Sequence, residues 1–137
     1  FIQAAPGVIF NGDPPFGLWE HPPGTGKIPP HRSDAGSFLL AECFGCATVT
    51  LVKDVDGLYD RDPKEHPSAK LIEEITVAEL ADRNLPTLPF DRILLELLGS
   101  ARQVTRFQVI NGLKPELLEP ALRGERVGTI VRRDASD

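Results

Sequence analysis

The chain has 137 residues, which suffice for one domain with an apolar core, and its composition is that of an ordinary globular protein. Its net charge of −5 argues against a surface that neutralises nucleic-acid phosphates. The most apolar stretch, residues 37–52, is interrupted by Glu42 and is shorter than the roughly twenty residues that cross a bilayer.

The first part of the chain predicts a strand, a long loop, a helix and a second strand. Apolar residues 7–10 predict a short strand, and the proline- and glycine-rich residues 11–30 predict a loop. Asp34, or the serine before it, can cap a helix that ends at Gly45, because glycine is a common helix terminator. The continuous apolar run of residues 48–52 predicts a strand buried on both faces.

The second part of the chain predicts three helices and two strands. We expect helices near residues 77–82 and 91–104, a strand at 107–110, a helix at 115–122 with proline at its start, and a last strand at 127–131. Strands and helices therefore alternate along the chain. This order indicates an α/β fold with a mainly parallel sheet covered by helices.

The two cysteines, Cys43 and Cys46, have the spacing of a redox or zinc pair. A structural zinc site needs four ligands, and the sequence has no second pair of cysteines. Cys43 also falls within the apolar repeat of the predicted helix. We therefore interpret both cysteines as reduced and packed.

Residues 54–63, DVDGLYDRDP, contain four aspartates around one glycine. A calcium-binding EF-hand loop needs its glycine at the sixth position, whereas Gly57 is the fourth residue, so calcium is not expected. The loop leaves the carboxyl end of a predicted strand, the edge at which open α/β sheets bind ligands. There Tyr59 could pack on a base and Asp62 could accept hydrogen bonds. The alternative is that Asp62 only starts a turn with the following proline, while Tyr59 fills the core.

Three segments resemble the carboxyl half of the amino acid kinase superfamily, in the order found in bacterial uridylate kinases. They are SDAGSFLLAECFG, VKDVDGLYDRDPKEHPSAKLI and VINGLKPELLEPALRGERVGTIV. Two further segments, PPFGLWEHPPGTGKIPPHRSDAG and LPFDRILLELLGSARQ, are more similar to the molybdenum storage proteins, a branch of that superfamily. The resemblance implies a three-layer αβα sandwich. It also implies that residues 1–137 form the carboxyl-terminal, nucleotide-binding half of such a domain.

The resemblance implies a nucleotide site and assigns residues to it. Asp34 matches the aspartate that organises the phosphate-transfer site. Positions that match contacts to ATP, or the loop beside the base, are Lys53, Tyr59, Asp62, Asn111 and Gly112. The family's glycine-rich phosphate loop and catalytic lysine have no counterpart in this sequence. We therefore do not expect this chain alone to be an efficient kinase, because phosphoryl transfer depends on positioning and neutralising the phosphates.

Two histidines are candidates for contacting an oxometalate. The imidazoles of His21 and His31 could ligate a metal or, when protonated, donate hydrogen bonds to an anion. The alternative for both is a histidine on the surface of a loop.

The resemblance implies a subunit that uses ATP and Mg²⁺ to hold molybdate or tungstate as oxide clusters inside an oligomeric cage. We expect a hexamer of the same or related subunits, in which ATP hydrolysis could be coupled to uptake. The alternative is a uridylate kinase-type phosphotransferase. Residues 14–30 separate the two readings, because they resemble the storage proteins and not the kinases. With no charged leader, membrane span or basic surface, we expect a cytoplasmic protein without membrane or nucleic-acid partners.

Overall fold

The computed structural model of the protein describes residues 33–134. These residues form four strands, four α-helices and one short 3-10 helix. In chain order the elements are α1 (Ser33–Cys43), β1 (Thr48–Lys53), β2 (Glu74–Thr76), α2 (Val77–Arg83), α3 (Leu94–Ser100), β3 (Arg106–Asn111), the 3-10 helix (Pro115–Leu117), α4 (Leu118–Leu122) and β4 (Thr129–Arg132). The predicted strand at 7–10 and loop at 11–30 lie outside the described residues.

The four strands form one mixed sheet in the order β1-β3-β4-β2. β1 pairs with β3 and β2 pairs with β4 in parallel, whereas β3 and β4 are antiparallel. The parallel pairs need long crossover connections, and α2 and α3 lie in the connection from β1 to β3. The predicted α/β class with a mainly parallel sheet is confirmed.

The core lies on one face of the sheet, under α1, α2 and α3. Alternate residues of the strands point to this face, among them Leu51 and Phe107, and both are buried. The ring of Phe107 meets that of Phe90 edge to face, with centroids 4.8 Å apart. Burying one such aromatic side chain stabilises a fold by about 1.5–3 kcal/mol, so this pair fixes the segment before α3 against the sheet.

The second face of the sheet is only partly covered among the described residues. α4 lies against it beside the buried Gln108, whose side-chain amide donates to the carbonyl oxygens of Glu125 and Val127. Towards the edge strand β1 this cover ends, and Val52 is 54% exposed. The prediction that residues 48–52 are buried on both faces is therefore wrong for the described part of the chain, because no described helix covers this face of β1 at Val52.

The elements depart from the predictions where tertiary contacts decide the backbone. α3 ends at Ser100, short of the predicted end at residue 104. The reason is that the backbone N–H groups of residues 102–104 donate hydrogen bonds to the Glu42 carboxylate. β2 was not predicted, since three residues are too few for a pattern. Its last residue, Thr76, also caps α2 through a reciprocal pair of hydrogen bonds with Glu79.

The two cysteines are exposed, so the prediction that they are packed is wrong. Cys43 is five residues from Phe38, the side chain by which α1 enters the core. Five residues correspond to about 140° around a helix, so Cys43 faces away from the sheet. Within residues 33–134, no helix is long and apolar enough to cross a membrane.

Glu42 should make stability depend on pH. The backbone N–H of Val104 above all, with those of Arg102 and Gln103, holds the pKa of the Glu42 carboxyl below its usual value of 4.5. A lowered carboxyl pKa stabilises the fold above the unfolded value, and the stabilisation is lost as pH falls through the folded value. Glu42→Gln should therefore lower the melting temperature at pH 7, and its difference from the parent should shrink below pH 4.

Glu96→Gln is the matched control for this prediction. Glu96 is an exposed residue of α3 whose side chain makes no hydrogen bond or ion pair with the described residues. Its melting curve should follow the parent at every pH. A Glu42→Gln difference that stays constant from pH 7 to pH 3 would show that the carboxylate contributes nothing through its ionisation.

Candidate functional site

The carboxyl ends of β1 and β3 bring two candidate site residues side by side. The strands are parallel, and Lys53 pairs in register with Asn111. The backbone N–H of Gly112 donates to the Lys53 carbonyl oxygen at 2.7 Å. A Cβ at Gly112 would lie 2.5 Å from a methyl carbon of Val52, so only glycine permits this close crossing. This edge is where α/β sheets bind ligands.

Asp34 and Lys53 form a partly buried ion pair at the same edge. The Lys53 ammonium lies 2.7 Å from both oxygens of the Asp34 carboxylate. The backbone N–H of Asp91 also donates to Asp34 at 3.2 Å. Because Asp34 is only 9% exposed, its charge depends on these partners. The pair joins the start of α1 to the end of β1 and fixes a cation where the strand ends.

The acidic loop, residues 54–63, is anchored to β4 by a buried threonine. The backbone N–H of Leu58 donates to the Thr129 hydroxyl oxygen at 2.8 Å, and that hydroxyl donates to the Ile72 carbonyl at 2.6 Å. Thr129 is fully buried. Thr129 was not among the predicted site residues, although a threonine inside the apolar run of a predicted strand indicates a buried hydrogen bond.

Asp56 joins the acidic loop to residues 111–114. Its Oδ1 accepts hydrogen bonds from the Asn111 side-chain amide at 2.9 Å and from the Lys114 ammonium at 2.6 Å. Its Oδ2 accepts one from the Tyr59 hydroxyl at 3.4 Å. Lys114 first, then Asn111, holds the pKa of Asp56 below its usual range. Asp56 was not among the predicted site residues, because spacing does not distinguish one aspartate from the three others on the same loop.

Tyr59 and Asp62 lie on the outer part of the acidic loop. Tyr59 is half-buried, and burial first, then the Asp56 charge, raises its phenol pKa. Asp62 Oδ1 accepts the backbone N–H of Lys64 at 2.8 Å, and its carbonyl accepts that of His66 at 2.9 Å. Asp62 therefore starts a turn, as the alternative interpretation predicted. Tyr59, however, lies outside the buried core cluster and does not fill the core. Asp62 Oδ2 makes no hydrogen bond with the described residues.

A cavity of about 280 Å³ lies beside these two residues. One wall is the acidic loop, with Tyr59 and Asp62, and the opposite wall is the apolar segment 85–89, which contains two prolines. Its size approaches that of pockets for small ligands, which hold about 300–1,000 Å³. A slot between an apolar wall and a wall with a carboxylate suits a flat ring that carries hydrogen-bond donors.

The six described candidate residues therefore fall into two neighbouring groups. Asp34, Lys53, Asn111 and Gly112 lie at the ends of the parallel strands, and Tyr59 and Asp62 line the cavity. His21 and His31 lie outside the described residues. Within residues 33–134, no group of three or more histidine, cysteine or acidic side chains is placed to hold a metal ion.

Comparison with known sequences gives one family. The profile of the amino acid kinase family matches residues 9–111. The chain is 48% identical to the β subunit of the molybdenum storage protein of Azotobacter vinelandii, over 90% of this chain and 46% of that protein. It is 36% identical to the uridylate kinase of Methanobrevibacter smithii, over 78% of this chain and 53% of that enzyme. The chain thus spans about half the length of these curated relatives.

Solved structures give the same fold. The UMP kinase of Ureaplasma parvum matches with a TM-score of 0.64 and 28% identity, over 74% of this chain and 42% of that one. The UMP kinase of Bacillus anthracis matches with a TM-score of 0.65 and 26% identity, over 78% and 43%. The described strands and helices therefore correspond to part of a larger α/β sandwich.

Proposed function

Because the chain belongs to the amino acid kinase family, we propose that it is a nucleotide-binding part of a protein that uses ATP to store molybdate or tungstate. The observation that carries this proposal is the 48% identity to a molybdenum storage subunit over 90% of the chain. The identity to the uridylate kinase is 36% over 78% of the chain, so it supports the kinase reading less.

We place the ATP base in the cavity between Tyr59 and segment 85–89. The apolar wall would cover one face of the ring, and Asp62 would accept hydrogen bonds from an amino or ribose hydroxyl group. Lys53 and Lys114 supply ammonium groups at the neighbouring strand ends. Each is already paired with an aspartate, but an ammonium has three donor hydrogens, so both could also contact phosphate oxygens.

Mg²⁺ would enter with the nucleotide. The described residues offer no cluster of acidic ligands, and Mg²⁺ is commonly held by substrate phosphates, water and one or two carboxylates. When bound, the ion would neutralise phosphate charge. The residues of this chain would position the base and the ribose.

The oxometalate is cargo in this proposal and needs more space than the described residues provide. Two cavities formed by these residues hold about 280 and 400 Å³. A store of condensed oxide clusters therefore needs a cage built by several subunits, of the same or a related type, for which we propose a hexamer. His21 and His31 are the side chains that we propose contact the anions.

A uridylate kinase-type phosphotransferase is the second candidate. The similarity to two UMP kinase structures, with TM-scores of 0.64 and 0.65, favours it. It needs a second nucleotide site and a phosphate loop to bring the reacting groups together. The two candidates share the ATP site and differ in what else is bound.

Retained metal separates the two candidates. The assembled protein is incubated with ATP, Mg²⁺ and molybdate or tungstate, desalted, and measured by plasma mass spectrometry. We expect retained metal well above what isolated side chains could hold. His31→Ala, and to a smaller extent His21→Ala, should lower it. His66→Ala is the matched control and should not, because His66 is exposed in the turn after the acidic loop.

A coupled assay for ADP formation from UMP and ATP runs beside the metal measurement. We expect little UMP phosphorylation. Strong phosphorylation without retained metal would contradict the storage proposal and favour the kinase.

A further inference from the structure

The contacts of Asp56 connect three parts of the candidate site. Its carboxylate binds the Tyr59 hydroxyl, the Asn111 amide and the Lys114 ammonium. Tyr59 lines the cavity, whereas Asp56 itself does not. Asn111 ends β3, and its own side-chain oxygen accepts the backbone N–H of Leu113 at 2.9 Å. One carboxylate therefore holds side chains of both the outer part of the acidic loop and the turn after β3.

The chemistry of these contacts requires a carboxylate at position 56. Two donors share Oδ1, and one of them is a cation. A neutral amide could still accept one hydrogen bond, but it would leave the Lys114 ammonium without its counter-ion. Lys114 is 49% exposed on its side chain, so without Asp56 it could adopt many conformations in solvent.

We propose that Asp56 is a positioning residue for nucleotide binding, which holds Tyr59 at the cavity wall and Lys114 beside the strand ends in one arrangement. It acts through these two side chains and does not touch the nucleotide itself. The inference rests on the proposed nucleotide site and adds to it a residue that neither the sequence pattern nor the family resemblance selected.

The test compares two aspartates of the same loop. Asp56→Asn removes the charge that holds Lys114, while Asp54→Asn removes an equal charge two residues away. Asp54 is exposed and makes no hydrogen bond or ion pair with the described residues. Calorimetric titration with ATP should show Kd raised about tenfold by Asp56→Asn, since losing a charged hydrogen bond has an effect of that order. Asp54→Asn should leave Kd within about twofold of the parent.

Double substitution tests whether Asp56 acts through Lys114. Lys114→Gln should weaken ATP binding, and adding Asp56→Asn to it should weaken binding by less than the product of the two single effects. Fully multiplicative effects would overturn the positioning role through Lys114.

The phenol of Tyr59 gives a readout that needs no nucleotide. Tyr59 is the single tyrosine of this sequence, so the ultraviolet absorption of tyrosinate reports it alone. The charged groups that affect its pKa are Asp56, which raises it, and Lys114, which lowers it. Asp56→Asn should lower the Tyr59 pKa towards its ordinary value, and Asp54→Asn should change it less.

The outcomes separate this inference from the proposed function. If the assembled parent protein binds no ATP, the nucleotide site is wrong and the inference falls with it. If the parent binds ATP and Asp56→Asn binds equally well, only the inference is overturned. A lower melting temperature with unchanged Kd and unchanged Tyr59 pKa would likewise leave Asp56 with a structural role alone.

Discussion

Replacing Gly57 by alanine should lower the free energy of unfolding by about 3 kcal/mol or more. Two costs add at this position. Its φ of +150° is one that residues with a Cβ rarely adopt, and a Cβ there would lie 2.4 Å from the Thr129 hydroxyl oxygen. Thr129 cannot move away cheaply, because its hydroxyl binds both Leu58 and Ile72 inside the fold. We expect the acidic loop to lose its anchor on β4.

Gly45→Ala is the control for a glycine with positive φ at which an added Cβ meets no neighbour. Gly45 also has a positive φ, +74°, but a Cβ there would meet nothing within 4 Å. Its replacement should cost about 1–2 kcal/mol, the usual penalty for a left-handed residue with a side chain. Urea denaturation measures both variants. Equal losses would show that the contact with Thr129 is relieved without cost, contrary to the tight packing described above.

The elements that could be predicted from the sequence are those with strong local patterns. α1 ends within two residues of Gly45, and the backbone N–H of Cys46 closes the helix on the Ala41 carbonyl, as a glycine terminator predicts. The apolar β-branched runs of β1, β3 and β4 were also identified, within about two residues at each end. In each case the local preference and the tertiary packing agree.

The features that could not be predicted depend on contacts between residues far apart in sequence. The early end of α3 is set by Glu42, about sixty positions earlier. The exposure of Val52 depends on which part of the second face of the sheet is covered by other elements. Neither the early end of α3 nor the exposure of Val52 can be predicted from a local window of sequence. Asp56 was not predicted for the same reason, since its partner Asn111 ends β3 and its partner Lys114 follows that strand.

Residue spacing and family resemblance each predicted only part of the candidate site. Spacing left two interpretations of the acidic loop open, and the structure contains part of both. Asp62 forms a turn with Lys64, as the simpler interpretation expected, while Tyr59 lines a cavity and does not fill the core. The roles of the site residues in binding ATP came from the resemblance alone and stay predictions.

Asp62→Ala should weaken ATP binding by about tenfold or more and leave thermal stability nearly unchanged. Asp62 lines the cavity, and its Oδ2 makes no hydrogen bond with the described residues, so it is open to a ligand. Its Oδ1 binds only the exposed backbone N–H of Lys64. Losing such a surface contact usually changes stability by about 0.5 kcal/mol.

Asp60→Ala is the matched control for Asp62→Ala. Asp60 lies on the same loop and its carboxylate likewise accepts an exposed backbone N–H, that of Lys70 at 2.9 Å, but it does not line the cavity. The charge removed and the kind of hydrogen bond lost are therefore the same in both variants. The two variants differ in position relative to the cavity and in one further contact, because Asp60 also lies 3.6 Å from the Arg61 guanidinium in an exposed ion pair, which contributes little to stability.

Calorimetric titration of ATP into the assembled parent protein and these two variants tests most directly whether the cavity beside the acidic loop is a nucleotide site. We predict a Kd raised about tenfold or more by Asp62→Ala and unchanged by Asp60→Ala, with similar melting temperatures for the two variants. Equal affinity of all three proteins for ATP, with Asp62→Ala reducing only the melting temperature, would contradict the nucleotide site and leave Asp62 as a turn residue.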